Sequence, residues 1–211
     1  MDKLNTGELN EALKDVRKAY RLIALYQKRV LDIVKYCSNN YNVVFNSGWA
    51  KFSRAALNGN RAKITDLSWN WLSLYTYEFN LGRIDRGEDR YHFKIVHQAD
   101  TGYYDANAEK KVGKIHVDQF GDVNTSKTRL FFVLSKNDNG CPMQHVLNGS
   151  LTTLDNQQIL KGNWLAVPFD LQRFASQETT DMVLQEFNGI CKEKFDVDLM
   201  NVKTEIDISE M

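Results

Sequence analysis

A seven-residue apolar repeat runs through the first forty residues of the chain. Its positions alternate three and four apart, and they are Leu9, Ala12, Val16, Ala19, Ile23, Tyr26, Val30, Ile33 and Cys37. This spacing places the nine side chains along one side of an α-helix, and we call them the apolar stripe. The pattern predicts one long amphipathic helix that begins within residues 6–9 and ends within residues 38–40.

After residue 41 the periodicity becomes that of strands and turns. Large apolar side chains then occupy odd positions between residues 69 and 81, namely Trp69, Trp71, Tyr75, Tyr77, Phe79 and Leu81. A period of two predicts a long strand with one aromatic face. Aromatic platforms that stack bases usually interleave Lys or Arg, and residues 69–81 contain neither, so we interpret this face as hydrophobic core.

The remaining pattern predicts more strands and a second helix. A charged loop over residues 83–90, with Gly87 at its tip, leads to strands at 91–98, 114–118, 128–134 and 163–169. Ser176 is the expected N-cap of an amphipathic helix that ends before Asp196. Strands that follow one another between terminal helices favour an α+β fold. We therefore expect a long N-terminal amphipathic helix, a central antiparallel sheet of about five to seven strands and a C-terminal helix.

This pattern divides the chain into three parts. Residues 1–40 are expected to form the long helix, packed on the main domain or on a partner. Residues 41–200 are expected to form the α+β domain, and residues 201–211 a flexible polar tail.

Composition excludes a global electrostatic role. The 211 residues carry 27 Lys or Arg and 27 Asp or Glu, so no net charge attracts nucleic acid or anionic lipid. The three cysteines, Cys37, Cys141 and Cys191, lack metal-binding spacing, which favours reduced thiols. Because the polar start does not resemble a signal peptide and no apolar run is long enough for a membrane span, we expect a cytoplasmic protein that does not bind membranes.

A local basic surface remains. Opposite the apolar stripe, Lys14, Arg21, Lys28 and Lys35 recur every seven residues, and Arg17, Lys18 and Arg29 lie near them. Such residues usually form a solvated outer face. They could also follow a phosphate backbone, so nucleic-acid binding through Lys14, Arg17, Lys18, Arg21, Lys28 and Lys35 is an alternative hypothesis.

The best metal candidates are His116, Asp118 and Asp122. On a strand, residues two apart share a face, so His116 and Asp118 could bind one ion together with His92 or His97. A metal-dependent phosphodiester hydrolase would use this set and either Glu78 or Lys94. The simpler interpretation is a polar sheet edge at which Asp122 shapes a turn. No cofactor is expected, and a divalent metal is the alternative.

Two weaker chemical patterns are interpreted as accidental. Glu109-x-Lys111, with Asp100 and Asp105 upstream, resembles the carboxylate–lysine pair of metal-dependent nucleases but follows a loop-like sequence. Cys141 lies four residues before His145, without a sequence context typical of a catalytic dyad. No nucleophile elbow or phosphate-binding glycine loop is present in the sequence.

The sequence therefore favours a non-enzymatic interaction or scaffold protein. The long helix is expected to bind another copy of itself, as a homodimer, or another protein. The candidate interface residues are Val16, Ala19, Ile23, Tyr26 and Val30.

Overall fold

The computed structural model describes residues 6–50, 75–107, 117–138, 159–161 and 163–200. The chain divides into two compact units, Met1–Tyr36 and Cys37–Met211. Three helices and six strands are found in the described ranges. They are α1 (Thr6–Asn40), β1 (Ser47–Ala50), β2 (Thr76–Arg86), β3 (Asp89–Gln98), α2 (Gly102–Asn107), β4 (Arg129–Lys136), β5 (Ile159–Lys161), β6 (Trp164–Asp170) and α3 (Gln177–Phe195).

The six strands form one antiparallel sheet. Their order is β1-β2-β3-β4-β6-β5, and every neighbouring pair runs antiparallel. The α+β class, the long first helix and the C-terminal helix are confirmed. The predicted division at residue 40 stays a prediction, and the tail over 201–211 lies outside the described residues.

The charged segment 83–90 is not the loop that its composition predicts. β2 continues to Arg86, β3 begins at Asp89, and only Gly87 and Glu88 separate them. Arg83 and Asp85 point the same way and form an ion pair at 2.7 Å, while Ile84 between them is buried. Alternation between paired charges and a buried side chain is compatible with a strand, so the tip at Gly87 was predicted correctly but the length of the loop was overestimated.

The strand predicted at 114–118 is wrong in its last two residues. Val117–Gln119 form a short 3-10 turn, and residues 114–116 lie outside the described part. The strands predicted at 91–98, 128–134 and 163–169 agree with β3, β4 and β6 to within one or two residues.

One face of the sheet packs against α3 through aromatic rings. Phe93 on β3 and Phe132 on β4 lie 5.8 and 5.3 Å, centroid to centroid, from Phe187 of α3. Phe169 of β6 lies 6.5 Å from the same ring. Tyr41 adds a T-shaped contact with Phe93 at 5.2 Å, and its hydroxyl donates to the Leu184 carbonyl at 2.8 Å. Phe187 is therefore the centre of this core.

The opposite face carries a second core. Its buried members are Tyr75, Val96, Tyr104, Phe131, Val133 and Ala166, and Tyr103 and Phe120 pack against them. Tyr75 precedes β2 and joins this cluster, so it does not share a face with Phe79 as the period of two predicts. Phe79 and Leu81 are buried and Tyr77 is half-buried, which confirms the core interpretation there. Trp69 and Trp71 lie outside the described residues.

The two ends of α3 agree with the sequence pattern. Ser176 is the N-cap: its Oγ accepts a hydrogen bond from the Thr179 backbone N–H at 3.2 Å. Asp196 closes the helix in the left-handed conformation at φ 55°, and its N–H donates to the Lys192 carbonyl. A polar cap and a left-handed residue satisfy backbone groups that the helix itself leaves open.

Asp198 ties the chain after α3 back to the helix. Its carboxylate pairs with Lys192 at 2.7 Å and accepts hydrogen bonds from the Asn188 side chain and the Met200 N–H, both at 3.0 Å. Chiefly because of the Lys192 bond, the pKa of Asp198 falls to about 2. A carboxyl group whose pKa is lowered by folding stabilises the fold at pH values above its unfolded-state pKa, which is near 4. That contribution is lost as the pH falls towards 2.

Asp198→Asn should therefore lower the free energy of unfolding at pH 7 by about 1 kcal/mol, after allowance for solvent screening at the half-exposed Lys192. The difference from the unchanged protein should shrink as urea unfolding is repeated from pH 5 down to pH 2. Asp196→Asn is the control, because asparagine also tolerates the left-handed conformation. A deficit for Asp198→Asn that does not change with pH would contradict this account.

Candidate interaction surface on the first helix

The apolar stripe changes from exposed to buried along α1. Val16 and Ile23 are 49% and 45% exposed, whereas Val30 is 1% exposed. Ile33 and Cys37 are also buried. The same repeat therefore supplies covered side chains in the last turns and uncovered side chains in the first five turns. Water-exposed side chains at regular apolar helical positions are typical of a helix that binds another surface.

Apolar side chains beside the stripe widen the exposed surface. Leu13 and Tyr20 follow Leu9 and Val16 by four residues, so they border the stripe on one side, and both are exposed. Leu22 and Leu25 are exposed as well. Sequence reasoning missed Leu13 and Tyr20 as interface candidates, although their spacing of four from stripe residues was the available signal.

Tyr26 marks the transition between the two parts of the stripe. Its side chain is half-buried, and burial raises the pKa of its hydroxyl above the ordinary value. Every residue from Gly7 to Leu25 is exposed, which corresponds to an uncovered helical segment of about 27 Å.

The six basic candidates all lie on exposed positions of α1. They are Lys14, Arg17, Lys18, Arg21, Lys28 and Lys35. Lys14 pairs with Glu11 at 3.3 Å and Lys18 with Asp15 at 2.9 Å, so local carboxylates offset part of the positive charge. α1 as a whole has seven Lys or Arg against four Asp or Glu. This surface carries charges of both signs with an excess of positive charge, as is usual for a solvated helix face.

The metal candidates are not brought together in the described part of the chain. Asp118 is exposed in the 3-10 turn, and His116 lies outside the described residues. Asp122 shapes a turn: its Oδ1 accepts hydrogen bonds from the Asn124 backbone and side chain, both at 2.9 Å. His92 and His97 are five residues apart on β3, so they point to opposite faces.

Among the described residues, no group of three or more metal-binding side chains converges on one point. The other two chemical patterns lie partly outside the residues that the structure describes, since residues 109–111, Cys141 and His145 are not among them. Asp100 accepts a hydrogen bond from the Gly102 N–H at 2.8 Å, and Asp105 accepts one from Thr101 at 2.6 Å, so both carboxylates have local structural partners. Cys37 and Cys191 are buried free thiols, and burial raises the pKa of Cys37 to about 12, which disfavours a reactive thiolate.

Glu78 and Lys94, named separately as hydrolase candidates, are brought together by the sheet. They lie on β2 and β3 with Lys94 Nζ 3.3 Å from Glu78 Oε1, and their side chains are only 2% and 5% exposed. A buried ion pair of this kind can serve to select the native fold without taking part in catalysis. Among the described residues, this pair is not part of a group of three or more metal-binding side chains.

Comparison with known proteins identifies the family. The model of the PM0109 family matches residues 6–199 of the chain. The chain belongs to the PM0109 family. In this PM0109 family member, the matched range begins at the first residue of α1 and ends just after α3.

A protein of Pasteurella multocida (strain Pm70), named "Uncharacterized protein PM0109", is 51% identical to the chain over 39 residues. The aligned stretch covers 18% of this chain and 19% of that relative, so the chain spans less than a fifth of the relative's length. No solved structure matches the chain. No helix among the described residues combines the length and the apolar character needed to cross a bilayer.

Proposed function

We propose that this PM0109 family member is a non-enzymatic interaction protein that forms a homodimer through the exposed part of the apolar stripe on α1. The observation that carries the proposal is the change from buried to exposed within one unbroken repeat, at Tyr26. A helix of this length gains most of its stability by covering its apolar side. A partner that covers Leu9, Val16 and Ile23 would supply that stabilisation.

The shape of the stripe favours a second copy as that partner. Large side chains at Leu9, Val16 and Ile23 alternate with small ones at Ala12 and Ala19. Large residues of one helix can pack into the depressions over the alanines of an identical helix. A self-complementary patch is also what a two-fold symmetric dimer requires.

The proposal predicts that Val16→Asp with Ile23→Asp abolishes self-association. Two carboxylates buried between helices should weaken dimerisation at least about 100-fold, or about 3 kcal/mol. Sedimentation velocity from micromolar to several hundred micromolar protein measures the effect. The unchanged chain should show a monomer–dimer equilibrium, and the variant should remain monomeric.

Lys14→Asp with Arg21→Asp is the matched control. It introduces the same two side chains on the opposite face of α1, where the dimer leaves them in water, so association should persist. Unfolding of the sheet by urea should have the same midpoint in all three proteins. An unchanged chain that stays monomeric over the whole concentration range would overturn the proposal.

A further inference from the structure

The order of large and small side chains along the apolar stripe of α1 indicates the direction in which two copies pair. In a parallel pair of helices, each stripe residue faces its own counterpart, so Ala12 would face Ala12 and Tyr26 would face Tyr26. Two facing alanines leave a gap and two facing tyrosines crowd the same layer. A parallel arrangement in register therefore packs poorly at three of the six layers from Leu9 to Tyr26, those of Ala12, Ala19 and Tyr26.

An antiparallel pair centred between Arg17 and Lys18 removes these conflicts. Leu9 then faces Tyr26 of the second copy, Ala12 faces Ile23, and Val16 faces Ala19. Both alanines now lie opposite a larger branched side chain, which fills the layer. The overlap runs from Leu9 to Tyr26, so it contains the exposed part of the stripe and ends at the half-buried Tyr26.

Two kinds of border pair fit the same arrangement, although Asp15 would lie beside Leu22. Glu8 of one copy lies beside Arg29 of the other, and two-fold symmetry repeats this pair at the far end. Leu13 lies beside Tyr20, which covers two more exposed apolar side chains. In a parallel pair Glu8 would lie beside Leu13 and Arg29 beside Val34, so no border position would match opposite charges.

We infer that α1 forms an antiparallel two-helix interface with a second copy of this chain, centred between Arg17 and Lys18. This inference rests on the proposed homodimer and adds its direction and register. It assigns Glu8 and Arg29 as the residues that select the antiparallel orientation, and Leu13 and Tyr20 as additional contact residues.

Distances between spin labels test the direction. Lys14→Cys and Lys28→Cys are made one at a time in a Cys141→Ser background, because both lysines point away from the stripe and Cys37 and Cys191 are buried. From the helical rise and the spacing of packed helices, the antiparallel pair predicts about 22 Å between labels at position 14 and about 37 Å at position 28. A parallel pair predicts about 20 Å at both positions.

Equal short distances at both positions would overturn the antiparallel inference and leave the homodimer intact. Sedimentation that shows only monomers would instead overturn the homodimer itself, so the two failures are distinguishable. The Cys141→Ser background without an added cysteine must show no dipolar signal.

Charge exchange gives an independent readout. When Glu8→Arg chains are mixed with Arg29→Glu chains, mixed dimers should form at least about threefold above the statistical ratio at low salt. In either variant alone, both pairs between positions 8 and 29 carry like charges, and only in the mixed dimer do both pairs carry opposite charges. Native mass spectrometry of differently tagged chains measures the ratio. A statistical ratio at low salt would contradict the antiparallel register.

Discussion

Replacing Lys94 with methionine is expected to lower the free energy of unfolding by about 3–5 kcal/mol. Methionine keeps most of the side-chain volume but removes the ammonium group that lies 3.3 Å from Glu78. The Glu78 carboxylate would then stay buried without its lysine partner, which is costly in a medium of low dielectric. Urea unfolding at pH 7, followed by tryptophan fluorescence, measures the loss.

A double replacement separates charge from packing. Glu78→Leu combined with Lys94→Met removes both charges and should recover most of the stability that the single change loses. Arg83→Met is the matched control, since Arg83 pairs with Asp85 in an exposed position on the same strand and should contribute less than about 1 kcal/mol. Equal losses for Lys94→Met and Arg83→Met would refute the buried-pair argument.

Phe187→Ala should destabilise the sheet–helix core by about 3–5 kcal/mol. The ring of Phe187 contacts Phe93, Phe132 and Phe169, which lie on three different strands. Truncation leaves a cavity whose walls belong to both the sheet and α3, so the surroundings can collapse only in part. The midpoint of thermal or urea unfolding should shift accordingly.

Met182→Ala supplies the comparison on the same helix. Met182 is 59% exposed, so its truncation should change the free energy of unfolding by less than about 0.5 kcal/mol. If Phe187→Ala cost no more than Met182→Ala, the ring cluster would not be the centre of the core.

Local patterns were enough to predict the two long helices, α1 and α3, but not the short helix α2, whose sequence was interpreted as loop-like. The repeat of three and four determined α1 almost to the residue, and Ser176 and Asp196 marked the two ends of α3. These signals lie within a few residues of one another, because helix hydrogen bonds and caps are local. The strand predicted at 128–134 likewise agrees with β4, in which residues 129–135 are all buried.

The sheet depended on contacts that the sequence pattern does not encode. Gly87 was correctly predicted at the tip of the turn, but the loop predicted over 83–90 was too long because its charged residues pair across and along the strands. Glu78 and Lys94 are sixteen residues apart, and only the register of β2 against β3 brings them together. Register and burial are tertiary properties, so strand composition could not reveal this pair.

The interaction surface was predicted in its position but not in its extent. Spacing alone placed Val16, Ile23 and Val30 on one side of α1. It could not tell that Val30 is buried while Val16 and Ile23 are exposed, because an identical repeat has the same pattern whether or not it is covered. Val30 was predicted as an interface residue, but because it is buried it does not belong to the exposed part of the stripe that forms the proposed interface.

The order of the strands also bears on how quickly the sheet can form. β2 and β3 meet across a two-residue turn, β3 pairs with β4, and β5 pairs with β6, so strands that are neighbours in the chain are mostly neighbours in space. Only two residues separate β2 from β3 and β5 from β6, so these two hairpins close with little loop-closure entropy. The β1–β2, β3–β4 and β4–β6 pairs instead close connections of at least 25 residues, which raises the contact order. During refolding the two hairpins can therefore form early, and pairing across the three long connections sets the pace of sheet assembly.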